Sequence, residues 1–148
     1  MKKTYSIKPT DIKRTWYLID AGSDNSLGRV AAEAAKLLLG KGKPQYSNHI
    51  DCGDYVVITN ASSLKVTGNK LDQKKYYSHS GHPGGLRTRT LREQMQRDPT
   101  RVIETAIKGM LPANKLLSER LKRLKVYSGS EHAHAPQSPV ELKIGKGK

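Results

Sequence analysis

The chain has 148 residues, 27 Lys+Arg against 13 Asp+Glu, a formal net charge of +14 and no Phe. That length suits one domain with a real core, but a charge this far from zero opposes compaction unless something anionic neutralises it. Nucleic acid or an anionic membrane surface is implied as partner, and a free small-molecule enzyme is disfavoured.

In chain order, Trp16 to Asp20 is a short apolar run bounded by polar turns and reads as a buried strand. Gly22 to Ser26 is a turn. Leu27 to Leu39 then carries Leu27, Val30, Ala31, Ala34, Leu37 and Leu38 on one helical stripe. Gly40 is the expected stop. Asp54 to Thr59 is a second apolar, β-branched run. Strand, helix and strand form a βαβ unit, with parallel pairing and a right-handed crossover. The connection from Lys41 to Gly53 has no periodicity, and one that long usually has a job.

Leu64 to Leu71 is expected as a short strand and turn, and Lys74 to Ser80 as extended chain. His79 to Gly85 is turn chemistry throughout. Thr90 caps a short helix to Arg97. Asp98-Pro99 opens another, as an N-cap followed by Pro at the first helical position. That helix stops near Gly109, and Pro112 separates it from a third. Asn114 is the expected cap of the third, with Leu117, Leu121 and Leu124 inward and Lys115, Arg120, Lys122, Arg123 and Lys125 on the opposite face. Lys125 to Tyr127 is expected as a last strand. The tail from Ser128 is Pro/His/Gly-rich and expected to be extended.

Several chemistries lack their parts. The Gly22–Arg29 turn sits where a P-loop would, but the spacing is wrong and Arg29-Val30 replace Lys-[ST], so nucleotide hydrolysis is disfavoured. The closest His/Cys groupings, His132-Ala-His134 and His49-Ile-Asp-Cys52, lack metal-ligand spacing. Cys52 reads as a small buried residue, and a single cysteine suits a reducing cytoplasm. No apolar run approaches the ~20 residues of a spanning helix, and Met1-Lys2-Lys3-Thr4-Tyr5-Ser6 has no signal-peptide core.

The basic features are more informative. Residues 1–74 carry net +5 and residues 75–148 net +9, so the partner surface leans on the second half. Lys74-Lys75-Tyr76-Tyr77 sets two cations beside two aromatics, a pairing suited to phosphate and to an unpaired base. One of the two tyrosines is expected to pack inward, because side chains alternate along a strand. The tip Gly81-His82-Pro83-Gly84-Gly85, followed by Arg87 and Arg89, brings backbone close to a phosphate chain and guanidinium forks after it. Its G-x-x-G resembles a KH loop only literally, since no helix precedes it. A helix-turn-helix reading of the last two helices makes a DNA-binding regulator the second choice.

Taken together, these strings resemble the L-thirteen family of large-subunit ribosomal proteins, bacterial type. The match runs through Trp16-Tyr17, Leu27-Gly28-Arg29, Gly40 to Ala61, Val66-Thr67-Gly68, Tyr76-Tyr77, Gly81 to Gly85, Arg101 to Glu104, Lys108 to Pro112, Leu124 to Tyr127 and Glu131-His132. The resemblance implies a three-layer α/β/α fold with a parallel four-stranded sheet, one domain with a core over about 14–127 and an extended tail over 128–148. It implies a cytoplasmic ribosomal constituent without catalytic activity or cofactor. Such a protein binds 23S-type rRNA early in subunit assembly, beside neighbouring ribosomal proteins. The expected RNA-contacting residues are Lys41, Lys43, His49, Lys74, Lys75, Tyr76, Tyr77, His79, His82, Gly84, Gly85, Arg87, Arg89, Arg92 and Lys108. Lys115, Arg120, Lys122 and Arg123 form a second patch.

Overall fold

The computed structural model describes residues 7–23 and 25–144. The basic start at 1–6, residue 24 of the first turn and the tail end at 145–148 lie outside the described residues.

The βαβ unit forms as the sequence implies. β1 (Trp16–Asp20) and β2 (Tyr55–Thr59) pair in parallel, Trp16 opposite Tyr55 and Asp20 opposite Thr59. Between them α1 (Leu27–Leu39) buries Val30, Ala31, Ala34, Ala35, Leu38 and Leu39. Gly40 ends it in the left-handed region, φ 77°, donating its N–H to the carbonyls of Lys36 and Leu37. Glycine adopts that conformation without the steric penalty other residues meet.

The segment after β2 departs from expectation. Lys65 makes a single bridge to Ser26 in place of a strand, and a one-turn helix, α2 (Lys70–Gln73), follows. β3 (Lys75–His79) and β4 (Leu86–Thr90) then form an antiparallel hairpin that is a sheet of its own. α3 (Leu91–Arg97) begins with a capping box. The Thr90 hydroxyl accepts from Glu93 N–H at 3.3 Å, and Glu93 Oε2 accepts from Thr90 N–H at 3.1 Å. α4 (Pro99–Met110) begins on Asp98, whose Oδ1 accepts from the Thr100 N–H at 3.1 Å and the Thr100 hydroxyl at 2.6 Å. These bonds hold the Asp98 carboxyl below its usual range, the Thr100 hydroxyl contributing most.

α5 (Leu117–Lys122) starts three residues beyond Asn114, whose side chain bonds the Leu116 N–H at 3.1 Å in the preceding turn. β5 (Leu124–Val126) pairs with β2. The tail is not simply extended. It makes a 3-10 turn at Ala135–Gln137 and returns as β6 (Val140–Glu141), paired with β1. The parallel sheet therefore runs β5-β2-β1-β6.

That order explains the layers. The chain steps from β1 to β2 to β5 in one direction, so right-handed crossovers place α1 and α4 on the same face. There Ile19, Val56 and Ile58 share a core with Val30, Ala34, Leu38, Val102, Ile103 and Ile107. The step from β5 back to β6 runs the opposite way and crosses the other face. Trp16 and Tyr55 stack there at 4.3 Å between ring centroids, and His134 of the returning tail lies 4.9 Å from Trp16.

Candidate nucleic-acid interface

The β3–β4 hairpin is the most basic projection from this core. Residues 73–92 hold Lys74, Lys75, Arg87, Arg89 and Arg92 and no Asp or Glu. The flanking acids are already engaged: Asp72 binds Arg92 at 3.0 and 3.2 Å, and Glu93 closes the capping box. Lys74, Lys75, Arg87 and Arg89 form no ion pair among the described residues.

Register sorts the hairpin's side chains. Tyr76 lies opposite Arg89 and Ser78 opposite Arg87 on one face; Lys75, Tyr77 and His79 lie opposite Thr90, Thr88 and Leu86 on the other. The first face turns toward the protein. Tyr76 packs against the core and lines a groove with Leu91, Val66 and Ala106. Burial raises its phenol above the ordinary range. Tyr77 is 66% exposed, so it is the outward tyrosine of the pair. Leu91, nearly fully buried, fixes the hairpin root, and its N–H bonds Lys74 O at 2.9 Å.

The tip is held by its own bonds. Ser80 N–H reaches Gly85 O at 3.2 Å, Gly85 N–H reaches His82 O at 3.0 Å, and Gly81 N–H reaches His79 Nδ1 at 2.9 Å. Gly81 and Gly84 have φ of 88° and 71°. A Cβ at Gly85 would sit 2.1 Å from the Ser80 hydroxyl and 2.9 Å from the His82 carbonyl oxygen, so a larger residue would force this close turn to shift. His79 and His82 are exposed at this tip.

The 41–53 connection is different inside and out. Lys41 and His49 are exposed. Lys43 is not available as a phosphate contact. Its Nζ donates to Asp54 Oδ1 at 2.6 Å, Lys13 O at 2.8 Å and Cys52 O at 3.1 Å, which uses all three ammonium donors. The structure also corrects the face assigned to Arg120 and Arg123. They are 1% and 5% exposed, turned inward onto Asp51 of the same connection. Arg123 makes a two-pronged bond to that carboxylate, its Nη2 at 2.6 Å. Arg120 Nε is 3.6 Å from Asp51 Oδ1, and Arg14 Nη2 is 4.0 Å from Oδ2. The helical wheel contained the signal: Arg120 follows Leu117 by three residues on α5, so it shares that residue's face.

Of the second patch, Lys115 and Lys122 remain exposed, with Lys122 Nζ bonded to Glu119 at 2.8 Å. Lys108 is exposed on α4 and borders a groove with Glu104, Leu121 and Leu124. Asp51 ties the 41–53 connection to α5, whereas the hairpin joins the core through α3. The sequence reading missed Lys70, which borders the groove behind the hairpin, and Leu86, 61% exposed on its outer face.

Two rival chemistries lose their geometry. In the Gly22–Arg29 turn, Asp20 Oδ1 accepts the Gly22 N–H at 2.9 Å and the Asn60 amide at 2.8 Å, placing a carboxylate where a phosphate would need donors. α5 spans six residues and turns Arg120 inward, so it is no recognition helix. Among the described residues, no group of three or more His, Cys, Asp or Glu could hold a metal ion, and no helix is long and apolar enough to cross a membrane.

Comparison with known proteins decides the family. The profile described as "Ribosomal protein L13" matches residues 14–133. The chain belongs to the ribosomal protein L13 family. It is 53% identical over 142 residues to the "Large ribosomal subunit protein uL13" of Neisseria meningitidis, covering 96% of this chain and 99% of that protein. Likeness to the protein of the same name from Dehalococcoides mccartyi is 56% over 140 residues, 95% and 97% of the two chains. For that of Chlorobium phaeobacteroides it is 49% over 144 residues, 97% and 95%.

Proposed function

We infer that this chain is a structural constituent of the large ribosomal subunit in the cytoplasm, and that it binds 23S-type rRNA and supports early subunit assembly. The observation that carries this reading is the hairpin: Lys74, Lys75, Arg87 and Arg89 form no ion pair among the described residues, on a family member whose relatives are named as large-subunit proteins. Lys74, Lys75, Arg87 and Arg89 meet phosphates, with Arg92 at the hairpin root. His79, His82 and the Gly84-Gly85 turn approach the sugar–phosphate chain at the tip. Lys41 and His49, with Lys108, Lys115 and Lys122, extend the contact over the face beside α5. Nothing in the arrangement positions a nucleophile or a general base, and the role is structural, next to other ribosomal proteins.

The test is affinity for large-subunit rRNA across a salt series. Log K falls by about 0.7–0.9 per phosphate contact for each decade of salt, so several contacts give a steep slope. A flat salt response overturns the reading, as does equal affinity for rRNA and duplex DNA.

A further inference from the structure

Two of the largest exposed apolar side chains of the molecule, Tyr77 at 66% and Leu86 at 61%, occur on one face of the hairpin. Tyr77 lies opposite Thr88, and Leu86 opposite His79, so Tyr77 and Leu86 are diagonal neighbours on adjacent strands. Diagonal positions are within reach of an aromatic side chain. Lys75 shares their face, two residues from Tyr77. The opposite face has already used its aromatic, Tyr76, to hold the hairpin to the core. The outer face therefore has no packing partner among the described residues, and exposing it to water has no stabilising return.

Resting on the reading of the hairpin as an rRNA contact, we propose that the Tyr77–Leu86 face is a stacking platform for an unpaired nucleobase, so that the hairpin recognises a bulged or single-stranded nucleotide and not a continuous duplex. A phenol ring offers a base a π-face. The Leu86 side chain widens the apolar seat, while Lys75 and the arginines of the neighbouring face take the phosphates on either side. A regular duplex presents its bases edge-on in its grooves and would leave the platform empty. Charge selects RNA over a protein partner. A protein surface would have to be strongly acidic to sit against Lys74, Lys75, Arg87 and Arg89, which form no ion pair among the described residues.

The experiment uses the full chain, with transcribed large-subunit rRNA as probe, and compares Tyr77→Ala, Tyr77→Phe, Leu86→Ala and Lys75→Ala at several salt concentrations. Tyr77→Ala should weaken binding about 5- to 150-fold with the salt slope unchanged. Tyr77→Phe should bind like the parent, and Leu86→Ala should show a smaller loss of the same kind. Lys75→Ala should lower the slope by about one contact. Thermal melting should be unchanged in all four, because the side chains are exposed. Tyr77→Ala binding within twofold of the parent overturns the platform, and so does a loss in Tyr77→Phe as large as in Tyr77→Ala, which would point to the hydroxyl. Tyr77→Ala that binds free rRNA normally but fails to enter subunits would also overturn it, in favour of a protein neighbour. A parent protein with no salt-dependent rRNA affinity would instead remove the rRNA reading itself.

Discussion

Two regions of this molecule use cations in opposite ways. On the hairpin, Lys74, Lys75, Arg87 and Arg89 form no ion pair among the described residues. Beneath the 41–53 connection, Arg14, Arg120 and Arg123 converge on the single carboxylate of Asp51, and Lys43 is spent on Asp54. A buried cation must be compensated because desolvation disfavours its charge; a solvated one keeps its field for an outside partner. Net charge alone therefore overstates the binding surface. A share of the +14 is used inside the fold, and the hairpin carries four cations that form no ion pair among the described residues.

The sharpest way to break this contrast is to remove the buried carboxylate. Asp51→Ala leaves Arg120 and Arg123 inside without an anion and should destabilise the protein by about 3–5 kcal/mol, read as a lower urea midpoint. Arg120 already has Nε and Nη1 buried without a hydrogen-bond partner, so Arg120→Met should change stability by no more than about 1 kcal/mol. If Arg120→Met destabilises as strongly as Asp51→Ala, the cluster does not hold surplus charge. A smaller effect is expected where the connection meets α1. A Cβ on Gly53 would lie 1.8 Å from Leu38 O, and overpacking of this kind costs about 1–3 kcal/mol. Gly53→Ala should therefore melt earlier, while Gly42→Ala, with open space around it, should not.

What the sequence made legible follows the same division. The boundaries of α3 and α4 were readable because their chemistry is local: Thr90 with Glu93, and Asp98 before Pro99. β1, α1 and β2 were readable from periodicity. The burial of Arg123 depends on a partner 72 residues away, which no local pattern encodes. Arg120 lies inward, as its three-residue spacing from Leu117 on α5 already implied. β6 is two residues long, too short for alternation to mark, and it exists because the tail crosses beneath Trp16 and Tyr55. Alternation required one of Tyr76 and Tyr77 to point outward. The choice between them depended on register, where a slip of one residue exchanges the faces.

Between the two regions lies the α3–α4 junction, through which the hairpin rejoins the core. Asp98→Ala removes the N-cap of α4 and should lower stability by about 1 kcal/mol; Asp98→Asn keeps an acceptor but loses the charge, and near neutral pH should fall between Asp98→Ala and the parent. The carboxyl is lowered in the folded protein, so its contribution is fully present above the ordinary aspartate value of ~3.9 and is lost as the pH falls through the folded value. Below that point the parent and Asp98→Asn should converge in melting temperature. A gap that persists into strong acid would mean that the charge of Asp98 plays no part.

The smallest effect on folding is expected at the hairpin arginines, and its smallness is the point. Arg87→Ala and Arg89→Ala break no ion pair among the described residues. Each should leave the urea midpoint within about 0.5 kcal/mol of the parent. The same substitutions should weaken rRNA binding and lower the salt slope by about 0.7–0.9 each. Arg87, exposed near the tip, should show this more cleanly than half-buried Arg89, which lies opposite Tyr76. Arg120→Met should leave the slope unchanged, because that guanidinium is buried. If Arg120→Met lowers the slope as Arg87→Ala does, the buried cluster opens on RNA and its cations belong to the interface after all.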